Sequence, residues 1–545
     1  MNRRHAIVAA ALLVGCTQRS PAPLPEQPLE RGRQQSLTVA TYADVGTLDP
    51  ATSVDGLSPM VMAHIYAPLV EINESGALVP YLAESYASFD DHTRYVFRLR
   101  AGVRFQNGQP FNAQSVIESF ERSFGPGANG GNDGAFDHLA GMKEFKEHKA
   151  AHIEGLHADG DLQLSIRLAR PDTSFLTRLS LPATRPVCPG SAPPGSPEFA
   201  PCGAGAYALL PGAWKQGREL TLTRADVGAS PYHPALQSIR WLFQTTPNTQ
   251  RLLFLRGDID VVSELSYVDD MALRADPAWR ALVSYEPSKQ AFGEIMDTQS
   301  APFSNRHLRR AVAFAVDRSK FERIKPGSIV GSAFPLPAVV RDEVGELPCQ
   351  HYDPQAALAE MALAGYPFDP NTGKGGYPYE IPYLVYAQGV PEYSAQVVAR
   401  ELQKIGLRLQ IRVVSYNAYL ALAQRRGASP ISFGGWAMDV PDAVSFMRPL
   451  FHSSAIADED STNSAFYANP TVDRALDQAA RALNADERRS ALREAISTVC
   501  EDAPWAFSFE QRSSIYVQRY VRGFHVHPLT RYWFLNTSIV QPGAP

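Results

Sequence analysis

The chain has 545 residues, 45% of them hydrophobic and 20% charged. That is a globular balance, and at roughly 100–200 residues per domain it predicts two to four domains with cores that stand without metals. Lysine and arginine number 51 against 56 acids, a net charge of −5, which excludes a dominant polyanion-binding face and with it a nucleic-acid partner.

Asn2-Arg3-Arg4 is a basic start, and residues 6–15 form an apolar run. Ten residues make about 15 Å of helix, half a bilayer core, too short to span and suited to the apolar region of a secretory signal. The run ends in Leu13-Val14-Gly15-Cys16, the pattern of a bacterial lipobox. Small residues fit a peptidase cleft, and the Cys16 thiolate is the acylation nucleophile; the alternative is an ordinary signal with a chance cysteine. Residues 1–15 are therefore expected to be a signal peptide, and 16–36 a lipidated cysteine with a tether carrying Pro21, Pro23, Pro25 and Pro28. Extended at about 3 Å per residue, such a tether holds a folded body up to about 60 Å from a membrane surface. The expected place is extracytoplasmic, anchored by an N-terminal lipid. Arg3-Arg4 matches a twin-arginine signal only weakly.

Four cysteines remain, Cys188, Cys202, Cys349 and Cys500, and allow three pairings. An exported setting favours disulfides. Cys188 and Cys202 bracket a Pro/Gly-rich loop with little core of its own, which makes them the first expected pair; Cys349 with Cys500 is the second. No Cys-x-x-Cys pair is present to suggest zinc.

In chain order, 37–41 reads as a strand, 57–70 as a helix ending at Ala67-Pro68, and 93–100 as a half-buried strand from its period of two. Asn107-Gly108 marks a turn, and Asn112 caps a helix over 113–124. A second alternating strand covers 162–168. From residue 236 strands and helices alternate: strands at 238–243, 259–262, 381–386 and 407–414, helices at 249–256, 305–321, 354–364 and 391–405. A helical hairpin over 471–484 and 486–501 precedes a late strand at 513–520. This rhythm predicts an α/β fold. His148 and His152 stand four apart on an expected helix, but no glutamate completes a His-Glu-x-x-His motif, so a solvated face is expected and neither metal nor cofactor. His525 and His527 are expected to be structural.

Six segments carry a resemblance. They are Thr47-Leu48-Asp49-Pro50; Tyr66-Ala67-Pro68-Leu69-Val70; residues 95–105, from Tyr95 to Phe105; Cys202-Gly203-Ala204-Gly205-Ala206-Tyr207; residues 308–318, from Leu308 to Arg318; and Tyr352-Asp353-Pro354 continuing to Gly365-Tyr366. In order and spacing the chain resembles bacterial substrate-binding family 5, the peptide- and nickel-binding proteins of ABC transporters. The resemblance implies a two-lobed α/β periplasmic binding protein of type II, with a hinge and an extra inserted domain. Carried over, domain I is 37–65, 190–290 and 505–545, domain II is 66–189, and domain III is 291–504. It further implies a peptide or other small solute held between lobes that close over it, an inner-membrane permease with its ATPase subunits as partners, and a monomer.

Within 434–442, Trp436 and Asp439 match the family's Trp-x-x-Asp, whose aspartate pairs with the ligand ammonium; Ala437 and Met438 lie between. A buried ammonium needs an anion to offset its desolvation. The plainer readings are a loop acid for Asp439 and core packing for Trp436. Asp55, Gly56 and Leu57 fall in the family's first ligand-contacting loop, where backbone groups pair with a peptide main chain and Gly56 permits close approach. Asp55 either faces a basic side chain or starts a helix. One departure stands out: the arginine that clamps a dipeptide carboxylate is missing from Ala387-Gln388-Gly389-Val390-Pro391. Oligopeptides are thus expected over dipeptides, with an oligosaccharide, a nickel complex or a tethered sensor role as alternatives. No Gly-x-Ser-x-Gly elbow and no Gly-Lys-Ser/Thr loop is present, so no enzyme is expected; carboxylate chemistry leaves a secreted glycosidase as the one enzymatic alternative.

Overall fold

A computed structural model describes residues 35–53, 55–89, 92–128, 136–438, 440–482 and 484–540. Cys16, the signal segment, almost all of the tether, and Asp439 lie outside the described residues.

Three sheets form the frame. A seven-stranded sheet runs in the order Val283–Tyr285, Ser514–Val517, Val261–Val262, Ser36–Ala40, Ser238–Leu242, Glu219–Arg224, Tyr207–Lys215. Its centre is parallel: Ser36–Ala40 pairs with Ser238–Leu242 and with Val261–Val262, burying Leu37, Val39, Ile239 and Trp241. A six-stranded sheet runs Ile329–Gly331, Trp505–Gln511, Gln290–Met296, Ile431–Ala437, Glu380–Tyr386, Arg408–Val414. A four-stranded antiparallel sheet holds Ala83–Phe89, Arg94–Leu99, Gln163–Arg167 and Leu156–Ala158.

The chain crosses between the two large sheets at 286–289, after Val283–Tyr285 and before Gln290–Met296. It crosses back at 512–513, between Trp505–Gln511 and Ser514–Val517. Residues 505–511, expected in the first domain, are instead a central strand of the six-stranded sheet. Six of its seven residues are buried, held between Gln290–Met296 and Ile329–Gly331.

The segments that carried the resemblance build this frame. Asp49 takes both terminal nitrogens of Arg122 at 2.8 and 2.7 Å, joining an N-terminal turn to the helix Ala113–Phe124. The Gln106 amide donates to the carbonyls of Ile65, Gly205 and Tyr207 at 2.7–3.0 Å and accepts from the Gly203 N–H at 3.1 Å. Gly203 and Gly205 are needed there, because a Cβ on either would lie 2.5 Å from the Ile65 backbone. Cys188 is bonded to Cys202, and Cys349 to Cys500.

Three helix expectations fail locally, and the first is that over 57–70, which ends at Ile65 with Val70 already in the strand Val70–Ile72. The helix expected over 305–321 stops at Ala315; Val316 is extended, and the Asp317 side chain accepts the Ser319 N–H at 3.2 Å to start a separate 3₁₀ stretch, Arg318–Arg323. No helix carries His148 and His152 together. Met142–Lys146 ends first, His148 has φ +57°, and His152 pairs with Glu121 at 3.1 Å.

Candidate functional site

A cleft of about 570 Å³ opens between the two large sheets. This lies within the range of about 300–1,000 Å³ for sites that take small molecules. One wall comes from the loops after Ser36–Ala40 and before Ser58–Ile65, the other from the end of Ile431–Ala437, and both crossovers contribute to the lining. Asp55, Gly56, Leu57, Ala437 and Met438, widely separated in sequence, all line it.

Each wall is positioned by local chemistry. Asp55 Oδ1 accepts the N–H groups of Leu57 and Ser58 at 2.8 and 2.6 Å, and Oδ2 accepts the Ser58 hydroxyl at 2.6 Å. Its carboxylate thus starts the helix Ser58–Ile65 while lining the cleft. A Cβ on Gly56 would meet nothing within 4 Å, so open space adjoins the backbone at that point. On the opposite wall, Gly434 and Gly435 let Ile431–Ala437 lie against Gln290–Met296: a Cβ at 435 would sit 2.3 Å from the Phe292 ring, and one at 434 would sit 2.5 Å from the Tyr419 hydroxyl oxygen.

Trp436 and Ala437 sit on different faces of the strand end. Successive side chains of a strand point to opposite faces. Ala437 lines the cleft, while Trp436, half-buried, packs against the cluster that holds Phe446, Leu492 and Trp505. The Met438 N–H donates to the Lys289 carbonyl at 2.9 Å, tying the end of the strand to the first crossover. Val440 is buried in the large apolar cluster. Asp442 caps the helix Ala443–Phe451 and pairs with Arg488, which also holds Glu343. Burial, then the neighbouring Asp442, pushes the Glu343 carboxyl up to about 7.

Sequence reasoning missed the charged floor of the cleft. Glu286, on the first crossover, sits between Lys289 Nζ at 2.7 Å and Arg531 Nε at 2.8 Å. Burial works to raise its carboxyl, but the two cations outweigh it and hold it below the usual carboxylate range. Arg512, on the second crossover, also lines the cleft. Glu286 and Lys289 are three positions apart, but Arg512 and Arg531 follow more than 220 positions later, and no local pattern joins the two pairs. The only cue is Glu286-Pro287-Ser288-Lys289, opposite charges across a proline between two strands. Gln388 and Gly389 are not among the lining residues. Among the described residues no group of three or more His, Cys, Asp or Glu is arranged to hold a metal.

Comparison with known proteins agrees with this architecture. The sequence profile for bacterial extracellular solute-binding proteins, family 5 Middle, matches residues 77–458. The glutathione-binding protein GsiB of Pectobacterium atrosepticum is 24% identical over 510 residues, covering 92% of this chain and 94% of that protein. Of solved structures, clavulanic acid biosynthesis oligopeptide binding protein 2 superposes with a TM-score of 0.82 at 20% identity, covering 93% of this chain and 95% of that one. The unliganded open form of the periplasmic murein tripeptide binding protein MppA gives 0.78 at 20% identity, covering 93% and 98%. Likeness at such identities establishes the fold, the two-lobed α/β architecture of type II periplasmic binding proteins. With its profile matched over most of its length, the chain belongs to family 5 of the bacterial extracellular solute-binding proteins.

Proposed function

We propose that the protein captures short peptides in the cleft between its two large sheets, closes about the crossovers at 286–289 and 512–513, and delivers the peptide to an ABC importer in the inner membrane. The observation that carries this reading is the cleft itself: its walls come from both sheets, it carries charges of both signs, and the crossovers line it. A peptide is a zwitterion with a polar backbone, and a cleft that shuts can pair its ends and its main chain from both sides while excluding water. The proteins compared above are named for binding glutathione, an oligopeptide and a murein tripeptide, which supports a peptide-like solute. In this reading Asp439 holds the ammonium, Gly56 and Leu57 offer backbone to the peptide, and Ala437 and Met438 form the facing wall. Trp436 acts from behind, packing the strand that ends at Ala437. The division into three domains belongs to this reading, with the last boundary moved to the crossover at 512–513. So does a monomer anchored by a lipid at Cys16.

A thermal-shift and calorimetric screen of di- to pentapeptides against the delipidated protein tests it. A ligand at one hundred times its dissociation constant adds about 2.7 kcal/mol to the folded state. Saturable binding with the peptide recovered intact is expected. Hydrolysis of the bound peptide, or binding of oligosaccharides or nickel complexes with no peptide response, would refute it. For the anchor, Cys16→Ala should move the protein to the soluble fraction; retention of that variant in membranes would exclude lipidation at this cysteine.

A further inference from the structure

The charges of the cleft are not all engaged in the same way. Glu286 occupies both Lys289 and Arg531. Arg512 is different. Its Nε–H donates to the Gly327 carbonyl at 3.0 Å, and its guanidinium carbon lies 4.1 Å from the centroid of the Tyr285 ring. The terminal nitrogens, the pair that forms a two-pronged bond with a carboxylate, have no hydrogen-bond or ion-pair partner among the described residues. The side chain is half-buried and lines the cleft. A guanidinium fixed by a ring and a carbonyl, with its fork left over, is already organised for a planar anion.

We infer that Arg512 binds the solute's carboxylate, seating the acidic end of the peptide on the crossover between the lobes. The inference rests on the peptide reading above and deepens it. It places the cation that 387–391 lacks on a different part of the chain. The location has a mechanical consequence. Arg512 stands on one crossover, and Tyr285, which it covers, adjoins the other. A carboxylate bound there touches the segment about which the lobes turn, so the solute's acidic end bears directly on closure. By contrast, the buried Arg318 has its terminal nitrogens bonded to the Ala313 and Val316 carbonyls and Gln350.

The test uses a mixed-sequence tetrapeptide library made once as free acids and once as C-terminal amides. Wild type, Arg512→Gln and Arg512→Lys are titrated with each. A charge-assisted, two-pronged contact corresponds to about a ten- to hundredfold preference for the acid in wild type. That preference should collapse in Arg512→Gln and survive in part in Arg512→Lys, which keeps the charge but not the fork. Ligand-free melting of each variant identifies misfolding, and the lysine variant keeps the test decisive if the glutamine variant is unstable. Equal binding of acids and amides by wild type, or a preference that persists in Arg512→Gln, would overturn the role of Arg512 and leave the peptide reading standing. No response of wild type to either library would overturn both.

Discussion

Replacing Glu286 by glutamine removes the anion that Lys289 and Arg531 share. The wild-type contacts are 2.7 Å to Lys289 and 2.8 Å to Arg531, with the glutamate side chain only 5% exposed. Removing one partner of a buried ion pair costs about 3–5 kcal/mol when the survivor is fully enclosed. Here Lys289 and Arg531 keep 23% and 21% of their side chains in water, and Lys289 also reaches the Leu529 carbonyl at 3.3 Å. Solvent therefore screens part of the penalty, leaving about 2–3 kcal/mol. The sign with pH follows from the carboxyl being held below its ordinary value, against burial, by the two cations. The unfolded chain then binds the proton more readily than the native state. The stabilisation is complete above the ordinary glutamate range and is lost only as pH falls through the lower native value. Urea unfolding at pH 7 and pH 5 should show the same lowered midpoint for Glu286→Gln relative to wild type. Hydrogen exchange should be faster at Met438, whose N–H is held by the Lys289 carbonyl. An unchanged midpoint at pH 7 with unchanged exchange at 438 would refute the reasoning.

Gly435→Val should destabilise the protein by about 1–3 kcal/mol and weaken peptide binding, because its Cβ falls 2.3 Å from the Phe292 ring; unaltered calorimetric affinity would show that the strand end does not position the cleft wall. Burial, with help from the charge of Arg185, lowers the His64 pKa to about 4, so the native state binds fewer protons than the unfolded chain between about pH 6.5 and 4. Stability should fall across that window by up to about 3 kcal/mol from this residue, and His64→Gln should flatten the slope; an unchanged slope in unfolding midpoints against pH would contradict this. The Cys188–Cys202 and Cys349–Cys500 bonds close separations of 14 and 151 residues, which loop entropy equates to about 3 and about 5 kcal/mol. Alanine replacement of the second pair should therefore cost more, and free thiols in non-reducing peptide maps of exported protein would rule the bonds out.

What was legible in the sequence was local. Asn112 announced the helix Ala113–Phe124 because its side chain accepts the Ser115 N–H at 2.9 Å while the Ser115 hydroxyl answers its own N–H at 3.2 Å, all within four residues. Arg94–Leu99 announced itself by alternation, since one face is buried and the other is not. Trp505–Gln511 and Gln290–Met296 did not, because central strands covered on both faces lose the period of two. The helix at 306–315 was overextended because its apolar period runs on past the point where Asp317 captures the Ser319 N–H. For the site, family-like motifs led to Asp55, Gly56, Leu57, Ala437 and Met438, which share one cleft. They also led to Trp436, which is half-buried against the cluster that holds Trp505. The pairing of Glu286 with Arg531, and the place of Arg512 in the same cleft, were invisible because these residues are far apart in sequence and come together only in the fold.

The central claim is that Asp439 supplies the anion for a peptide's free amine. Titration of wild type and Asp439→Asn with one tetrapeptide, free and acetylated at its amine, tests this most directly. The account predicts that the variant loses on the order of 2–5 kcal/mol for the free peptide, since a desolvated ammonium is left unpaired, and far less for the acetylated one. Equal losses for the two ligands, or binding of the free peptide that is indifferent to the substitution, would contradict it.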